Sequence, residues 1–230
     1  MTNPLLDNSQ RARTILIIFW ILATLQVVSV ISAAMQLQLL YRFNEGNIDA
    51  DAAATNDLRQ KIIAFTYVGT VIVSIVFFIM WFRRAYANLE RTGRVILKYA
   101  EGWSAGAWFV PFLNLVRPYE IMKEIWHKTQ EATTGLVQYK QGALVGWWWT
   151  IWLITNIISN ISFRFASRAA TIDQLISSTI FDIVDSGLEI ISILVTIYMI
   201  HQASLLEAKL NHSYSLPVEE GEDKLADIII

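Results

Sequence analysis

Residues 14–40 read TILIIFWILATLQVVSVISAAMQLQLL, an apolar run that is interrupted only by glutamines and small polar residues. A helix needs about 20 apolar residues to cross about 30 Å of hydrocarbon, so this run can span a membrane with some tilt. The apolar region of a secretory signal is shorter, about 7–15 residues. The run therefore predicts an uncleaved first transmembrane helix.

Three further apolar runs follow, at residues 62–81, 144–163 and 175–200. The chain of 230 residues is 54% hydrophobic and 17% charged, whereas soluble domains are nearer 45–50% and about 25%. We therefore expect an all-α polytopic membrane protein with four transmembrane helices. Its parts are an N-terminal segment (1–13), one four-helix membrane domain (14–210) and an acidic, mobile tail (211–230). The second helix is expected to continue to a C-cap near Gly93.

The distribution of Lys and Arg predicts the orientation of these helices. The N-terminal segment, the loop between the second and third runs and the C-terminal tail together carry thirteen of these residues, and the opposite side carries five. Basic residues are enriched in cytoplasmic loops. Both termini and the central loop are therefore expected in the cytoplasm.

The central loop contains a short apolar stretch, residues 103–116, that is interrupted by Gly106 and Pro111. A stretch of 10–14 apolar residues is more typical of a re-entrant or interfacial segment than of a span. From Pro118 an amphipathic helix is predicted, with Met122 and Trp126 on its apolar face, lying in the headgroup plane. Residues 103–129 are thus either a structural interfacial segment or a lipid-facing or ligand-gating element.

Two motifs in this region resemble those of a known family. They are WFRRAYANL at 81–89 and W-x4-WFVPFLNLVRP at 103–118, with EIW at 124–126 and a tryptophan-rich stretch at 146–149. The pattern is similar to the bacterial membrane family catalogued as domain of unknown function family 4328. The resemblance implies a multi-pass protein of the bacterial inner membrane and implies no activity. The motif residues are Trp81, Arg84, Asn88, Trp103, Trp108, Pro111, Asn114, Pro118 and Trp126.

These motif residues also have a physical interpretation. Most of the tryptophans fall near the predicted cytoplasmic interface, where indole rings form an aromatic belt. Arg84 and Asn88 are four residues apart on one helical face and are expected to face the central loop. Arg84 is then a candidate to bind a lipid phosphate, Asn114 or carbonyl groups near Pro111.

The fourth apolar run carries three acids, Asp182, Asp185 and Glu189, whose spacing places them on one helical face. An ionised acid in a membrane needs partners. The third run offers a polar stripe that would pair with these acids in an antiparallel hairpin. The predicted pairs are Arg164 with Asp182, Asn160 with Asp185, and Asn156 with Glu189. Either these contacts fix helix packing, or the acids line a pocket for a cation, proton or amine.

Several classes of function are excluded or disfavoured. The chain has no cysteine, and its net charge is −2, so thiol chemistry is excluded and nucleic acid is not an expected partner. It lacks His-Glu-x-x-His, Gly-x-Ser-x-Gly and a phosphate-binding glycine loop. We therefore expect no metal, no cofactor and no catalytic residues.

The first hypothesis for function is a non-enzymatic binding, scaffold or accessory protein. The second is a subunit of a small-solute or ion transporter or channel, and a membrane enzyme ranks third. The expected partners are the lipid bilayer, anionic lipid headgroups at the cytoplasmic face, and a protein partner or a second copy of the chain.

Overall fold

The computed structural model describes residues 4–46, 49–135 and 142–215, and this part of the chain is helical without strands. The predicted tail from residue 216 onward lies outside the described residues. The helices are α1 (Ser9–Asn44), α2 (Ala50–Thr92), α3 (Trp103–Gly106), α4 (Arg117–Thr134), α5 (Ala143–Ala166) and α6 (Ile172–Ser215), with a 3₁₀ turn at Leu113–Leu115.

Three of the helices, α1, α2 and α6, are long and apolar enough to cross a membrane. The prediction of membrane-spanning helices is thus confirmed for these three. Helix α5 has 24 residues and is not among these three. At 1.5 Å per residue, the 43 residues of α2 extend about 65 Å, roughly twice the thickness of the hydrocarbon layer.

The ends of α2 follow from local sequence. Asp49 precedes the helix, and its side chain accepts a hydrogen bond from the Ala52 N–H at 3.0 Å, which satisfies one of the free donors of the first turn. Gly93 ends the helix in the left-handed conformation, with φ of 62°. The predicted C-cap at Gly93 is therefore confirmed.

The four long helices are arranged in the order α2–α1–α6–α5. Helices α1 and α6 pack along each other, α2 packs on α1, and α5 packs on α6. Among the described residues, α2 and α5 do not pack extensively against each other. A cleft therefore remains between these two outer helices.

At one end of the bundle, α1 begins, α2 ends, α5 begins and α6 ends; we call it the basal end. The largest fully buried side chains lie there and form a basal core across α1, α2, α4, α5 and α6. This core includes Trp81, Phe82, Tyr86, Leu89, Ile121, Met122, Trp148 and Ile200.

The basal core corrects two predictions. The apolar face of α4, with Met122, Ile125 and Trp126, is buried against the protein, whereas the sequence placed it in the headgroup plane. Trp81 and Trp126 are 0% and 2% exposed, so they are core residues and not members of an aromatic belt. The reason is that α2 and α6 both continue past their apolar runs. Their basal ends pack against α4 and bury its apolar face.

The middle of the bundle shows the opposite distribution. Only 11% of the most apolar window of α2 is buried, and side chains such as Phe65 and Phe163 are 79% and 75% exposed. Soluble monomers rarely expose contiguous apolar surface on this scale. These outward faces have the composition that contact with lipid requires.

Candidate functional site

The acidic face of α6 contacts α5 and α2 through hydroxyl groups. Tyr67 on α2 donates a hydrogen bond to Glu189 Oε2 at 2.7 Å. On α5, Ser159 Oγ lies 3.0 Å from Glu189 Oε1 and 2.9 Å from Asp185 Oδ1, and Ser162 donates to Asp182. The structure thus joins all three acids to neighbouring helices.

Ser159 cannot satisfy both of its acidic neighbours with its own proton. A hydroxyl group has a single O–H donor, yet its oxygen lies within hydrogen-bond distance of both Asp185 and Glu189. Two full hydrogen bonds form together only if one carboxyl group carries a proton; otherwise the two carboxylates share the single O–H in a bifurcated bond. A bound cation beside the two carboxylates is the alternative way to relieve their repulsion.

The predicted pairs between α5 and the acids are not formed, and this is a correction. Asn156 and Asn160 donate to carbonyl groups of their own helix, at 2.8 and 2.9 Å, and Arg164 is exposed. The stripe that faces α6 is Thr155, Ser159 and Ser162. Thr155 and Ser159 immediately precede Asn156 and Asn160, and successive residues of a helix differ by about 100°, so a rotation of one residue exchanges these two pairs.

Within the described ranges, the three acids have no Lys or Arg partner. The ion pairs found there are Arg83–Glu101, Lys98–Glu120 and Lys128–Glu131, all outside the predicted spans. The first half of α2 has two basic residues: Lys61 is exposed, and Arg59 donates to Ser32 Oγ at 2.9 Å and to Asn56 Oδ1 at 2.6 Å. Asp182, Asp185 and Glu189 therefore add negative charge to this part of the bundle.

A cavity of about 540 Å³ occupies the cleft between α2 and α5 and reaches Glu189. Its wall on α6 continues from Glu189 to Ser192 and Thr196, and other polar residues of the lining include Tyr67 and Ser159. The rest of the lining is mostly apolar, including Phe19, Leu22, Ile75 and Ile193. Its volume lies within the range of about 300–1,000 Å³ that is typical of small-molecule sites.

Aromatic rings form the basal floor of this cavity. Trp108 projects from the central loop between α2 and α5, with its ring 5.5 Å from Phe78 and 6.0 Å from Trp152. Trp148 lies beside Phe78, and its indole N–H donates to Thr196 at 3.1 Å. The central loop thus contributes Trp108, Phe109 and Asn114 to the lining at the basal end of the cleft.

Two other motif residues of α2, Arg84 and Asn88, bind the N-terminal segment and not the central loop. Arg84 donates to the Asp7 carbonyl at 3.4 Å. Asn88 is fully buried and exchanges hydrogen bonds with the backbone of Leu6, at 2.9 and 2.8 Å. The expectation that both face the central loop was wrong, because the segment before α1 folds over this face of α2.

The remaining motif residues shape the central loop. Trp103 stacks on Arg117, whose guanidinium carbon is 3.9 Å from the ring centre. Pro118 occupies the first turn of α4, where the missing N–H costs nothing. Asn114 lines the cavity beside the floor, and Pro111 lies exposed before the 3₁₀ turn.

A buried acid at the basal end, Glu207, was missed by sequence reasoning. It accepts hydrogen bonds from Asn88 at 2.7 Å and from Asn8 at 2.9 Å. Burial raises the pKa of Glu207, the two asparagine hydrogen bonds lower it, and the charges of Asp7 and Arg84 act in opposite directions. The one available signal was that Glu207 is an acidic residue on a helix that was expected to continue past its apolar run.

Comparison with known proteins identifies one family. The sequence model of a family described as a domain of unknown function (DUF4328) matches residues 44–204, which is more than two thirds of the chain. No curated protein matches the sequence, and no solved structure matches it.

Proposed function

The chain belongs to the DUF4328 family, which is described as a domain of unknown function, and from that premise we propose that it is a non-enzymatic membrane protein that binds a small lipophilic cation. The site is the cavity between α2 and α5. The observation that carries the proposal is that Glu189, without a basic partner in the described residues, reaches this cavity.

The lining of the cavity indicates the chemistry of its ligand. A carboxylate in a largely apolar recess favours a cation that can donate hydrogen bonds. Trp108, Trp148 and Trp152 line the floor, where their rings can pack against the apolar or aromatic body of a ligand. Mostly apolar walls favour a hydrocarbon body over a hydrated ion. A lipophilic amine satisfies all three features.

We also propose that α5 is the fourth transmembrane span and that both termini are cytoplasmic, in a bacterial inner membrane. Support comes from the thirteen-to-five Lys and Arg bias and from the packing of α5 along α6. Residues 103–116 are proposed to return to the cytoplasmic side. Single cysteines at Gly102 and Lys123, which are exposed on either side of the segment, test this, since labelling from opposite sides of the membrane would make the segment a crossing.

The test of ligand binding uses phenethylamine, with phenethyl alcohol as its neutral counterpart. Thermal melting of the purified protein is measured with each compound. We expect the amine to raise the melting temperature of the wild type more than the alcohol, and Glu189→Gln to weaken amine binding about tenfold or more, since hydrogen bonds to charged groups contribute about 1.5–3 kcal/mol.

The matched control is Asp182→Asn, which also removes one acid of α6 but bonds Ser162 away from the cavity lining. It should bind the amine as the wild type does. Equal stabilisation by amine and alcohol, or equal loss in the two variants, would contradict the proposal.

A second candidate function is transport through the same cleft. It is favoured by the position of Trp108, a side chain of the central loop that lies at the basal end of the cavity between Phe78 of α2 and Trp152 of α5. Trp108→Ala should then accelerate phenethylamine flux in liposomes, while Trp20→Ala, an exposed tryptophan outside this cavity, should not. If the protein binds phenethylamine but no flux is measured, the transport function is rejected and the binding function stands.

We propose anionic lipid headgroups as partners of the basal arginines. Arg83, Arg84 and Arg11 are close enough for the first two to lower the pKa of Arg11, after the larger effect of burial. Such clusters attract anionic lipids. Association with a protein partner or a second copy of the chain is proposed alongside.

A further inference from the structure

A second recess lies at the basal end, in a groove of about 330 Å³ between α1 and α6. Its lining includes Asn8, which directly precedes α1, Arg13, Ile17 and Trp20 of α1, and Glu207 and Asn211 of α6. It is separate from the cavity between α2 and α5, because the two linings share no residue.

The part of the groove nearest the basal end carries oxygen acceptors that lack donors. Asn8 is 2% exposed, and its amide nitrogen is committed to Glu207 and to the Trp81 carbonyl, at 2.9 and 3.2 Å. This fixes its Oδ1 as the acceptor, and within the described part of the chain that atom is buried without a hydrogen-bond partner. Asn211 Oδ1 is likewise buried without a hydrogen-bond partner among the described residues.

These two amide oxygens adjoin a carboxylate. Glu207 and Asn211 are four residues apart on α6 and so share one face, and Asn8 contacts Glu207 directly. Buried polar atoms without partners are uncommon in native proteins, and each calls for an explanation such as an unseen ligand. A group with several N–H donors and a positive charge matches this acceptor set, and a primary ammonium has three such donors.

The part of the groove farther from the basal end, along α1, has a different set of side chains. Arg13 is exposed, and among residues 4–46, 49–135 and 142–214 no carboxylate pairs with it. Ile17 and Trp20 follow along α1, 53% and 55% exposed, inside the apolar run. From the basal end toward the middle of the bundle, the groove thus offers acceptors for a cation, then a guanidinium for an anion, then apolar surface.

We propose that this groove binds the headgroup of a phospholipid that carries a primary amine, such as phosphatidylethanolamine. The ammonium donates to Glu207, Asn8 and Asn211, the phosphate contacts Arg13, and an acyl chain lies along Ile17 and Trp20. A choline headgroup lacks N–H donors, and a glycerol headgroup lacks the positive charge. The apolar continuation of the groove identifies the lipid as the source of the amine, ahead of a free amine.

The test measures thermal stabilisation of the full chain in detergent by dioleoyl lipids that differ only in their headgroups. Phosphatidylethanolamine should raise the melting temperature at lower concentration than phosphatidylcholine or phosphatidylglycerol. Asn211→Leu and Arg13→Gln should each raise the half-saturating concentration of phosphatidylethanolamine by about tenfold. Asn211→Leu should melt as the wild type does without lipid, because its Oδ1 has no partner to lose.

The matched controls are Asn160→Leu and Lys209→Gln, which make the same kinds of change at exposed positions outside the groove. They should leave the lipid response unchanged. Equal stabilisation by the three lipids would overturn the proposal, as would equal effects of the control variants. Soluble phosphoethanolamine matching the lipid, or sodium or potassium ions reproducing its effect, would also overturn it, by identifying a free-amine or monovalent-cation site.

Discussion

Substitution of Asn88 by Leu tests whether this motif residue holds the N-terminal segment and α6 to α2. The side chain is fully buried and makes two hydrogen bonds to the Leu6 backbone and one to Glu207. Neutral hydrogen bonds contribute about 1 kcal/mol each, and one to a charged group about 1.5–3 kcal/mol. The free energy of unfolding should therefore fall by about 3–5 kcal/mol.

Thermal melting in detergent measures this loss. At about 2–4 °C per kcal/mol for a chain of this size, the melting temperature should fall by about 10 °C. Asn160→Leu is the control, because its amide bonds only its own helix, and it should not melt lower than the wild type. In a Glu207→Met background, Asn88→Leu should cost about 1.5–3 kcal/mol less. Additive costs within about 0.5 kcal/mol would show that Asn88 and Glu207 are not coupled and would refute the reasoning.

Three further predictions follow from topology, burial and backbone geometry. With single cysteines at Asn47, Asp173 and Ser215, an impermeant thiol reagent outside intact cells should label the first two only, and labelling at the third would reverse the orientation. Burial raises the pKa of Glu207 above its ordinary value of 4.5; stability should therefore fall as pH rises from 4.5 through the raised pKa, and melting curves of Glu207→Gln should lack this fall. Gly93→Ala places a Cβ at φ of 62° and should cost about 1 kcal/mol, measurable as a lower melting temperature than that of Gly69→Ala.

The sequence was sufficient for features that depend on local chemistry. Apolar length identified the long helices, because a backbone inside lipid must satisfy its own hydrogen bonds. Gly93 and Pro118 marked a helix end and a helix start, because their backbone preferences act at single positions. The spacing of Asp182, Asp185 and Glu189 placed them on one face, because the helical repeat is fixed.

Tertiary structure alone decided which groups meet across helices. The sequence could not tell whether Ser159 or Asn160 faces α6, because a helix can rotate by 100° per residue without changing its own hydrogen bonds. Packing of α5 against α6 chose Ser159, and packing of α2 brought Tyr67 to Glu189. Likewise, Asn8 and Glu207 are 199 residues apart in the chain, and no local pattern relates them. Their contact exists because the segment before α1 folds back over α2, where Asn8 bonds Glu207 and the Trp81 carbonyl and Glu207 also accepts from Asn88.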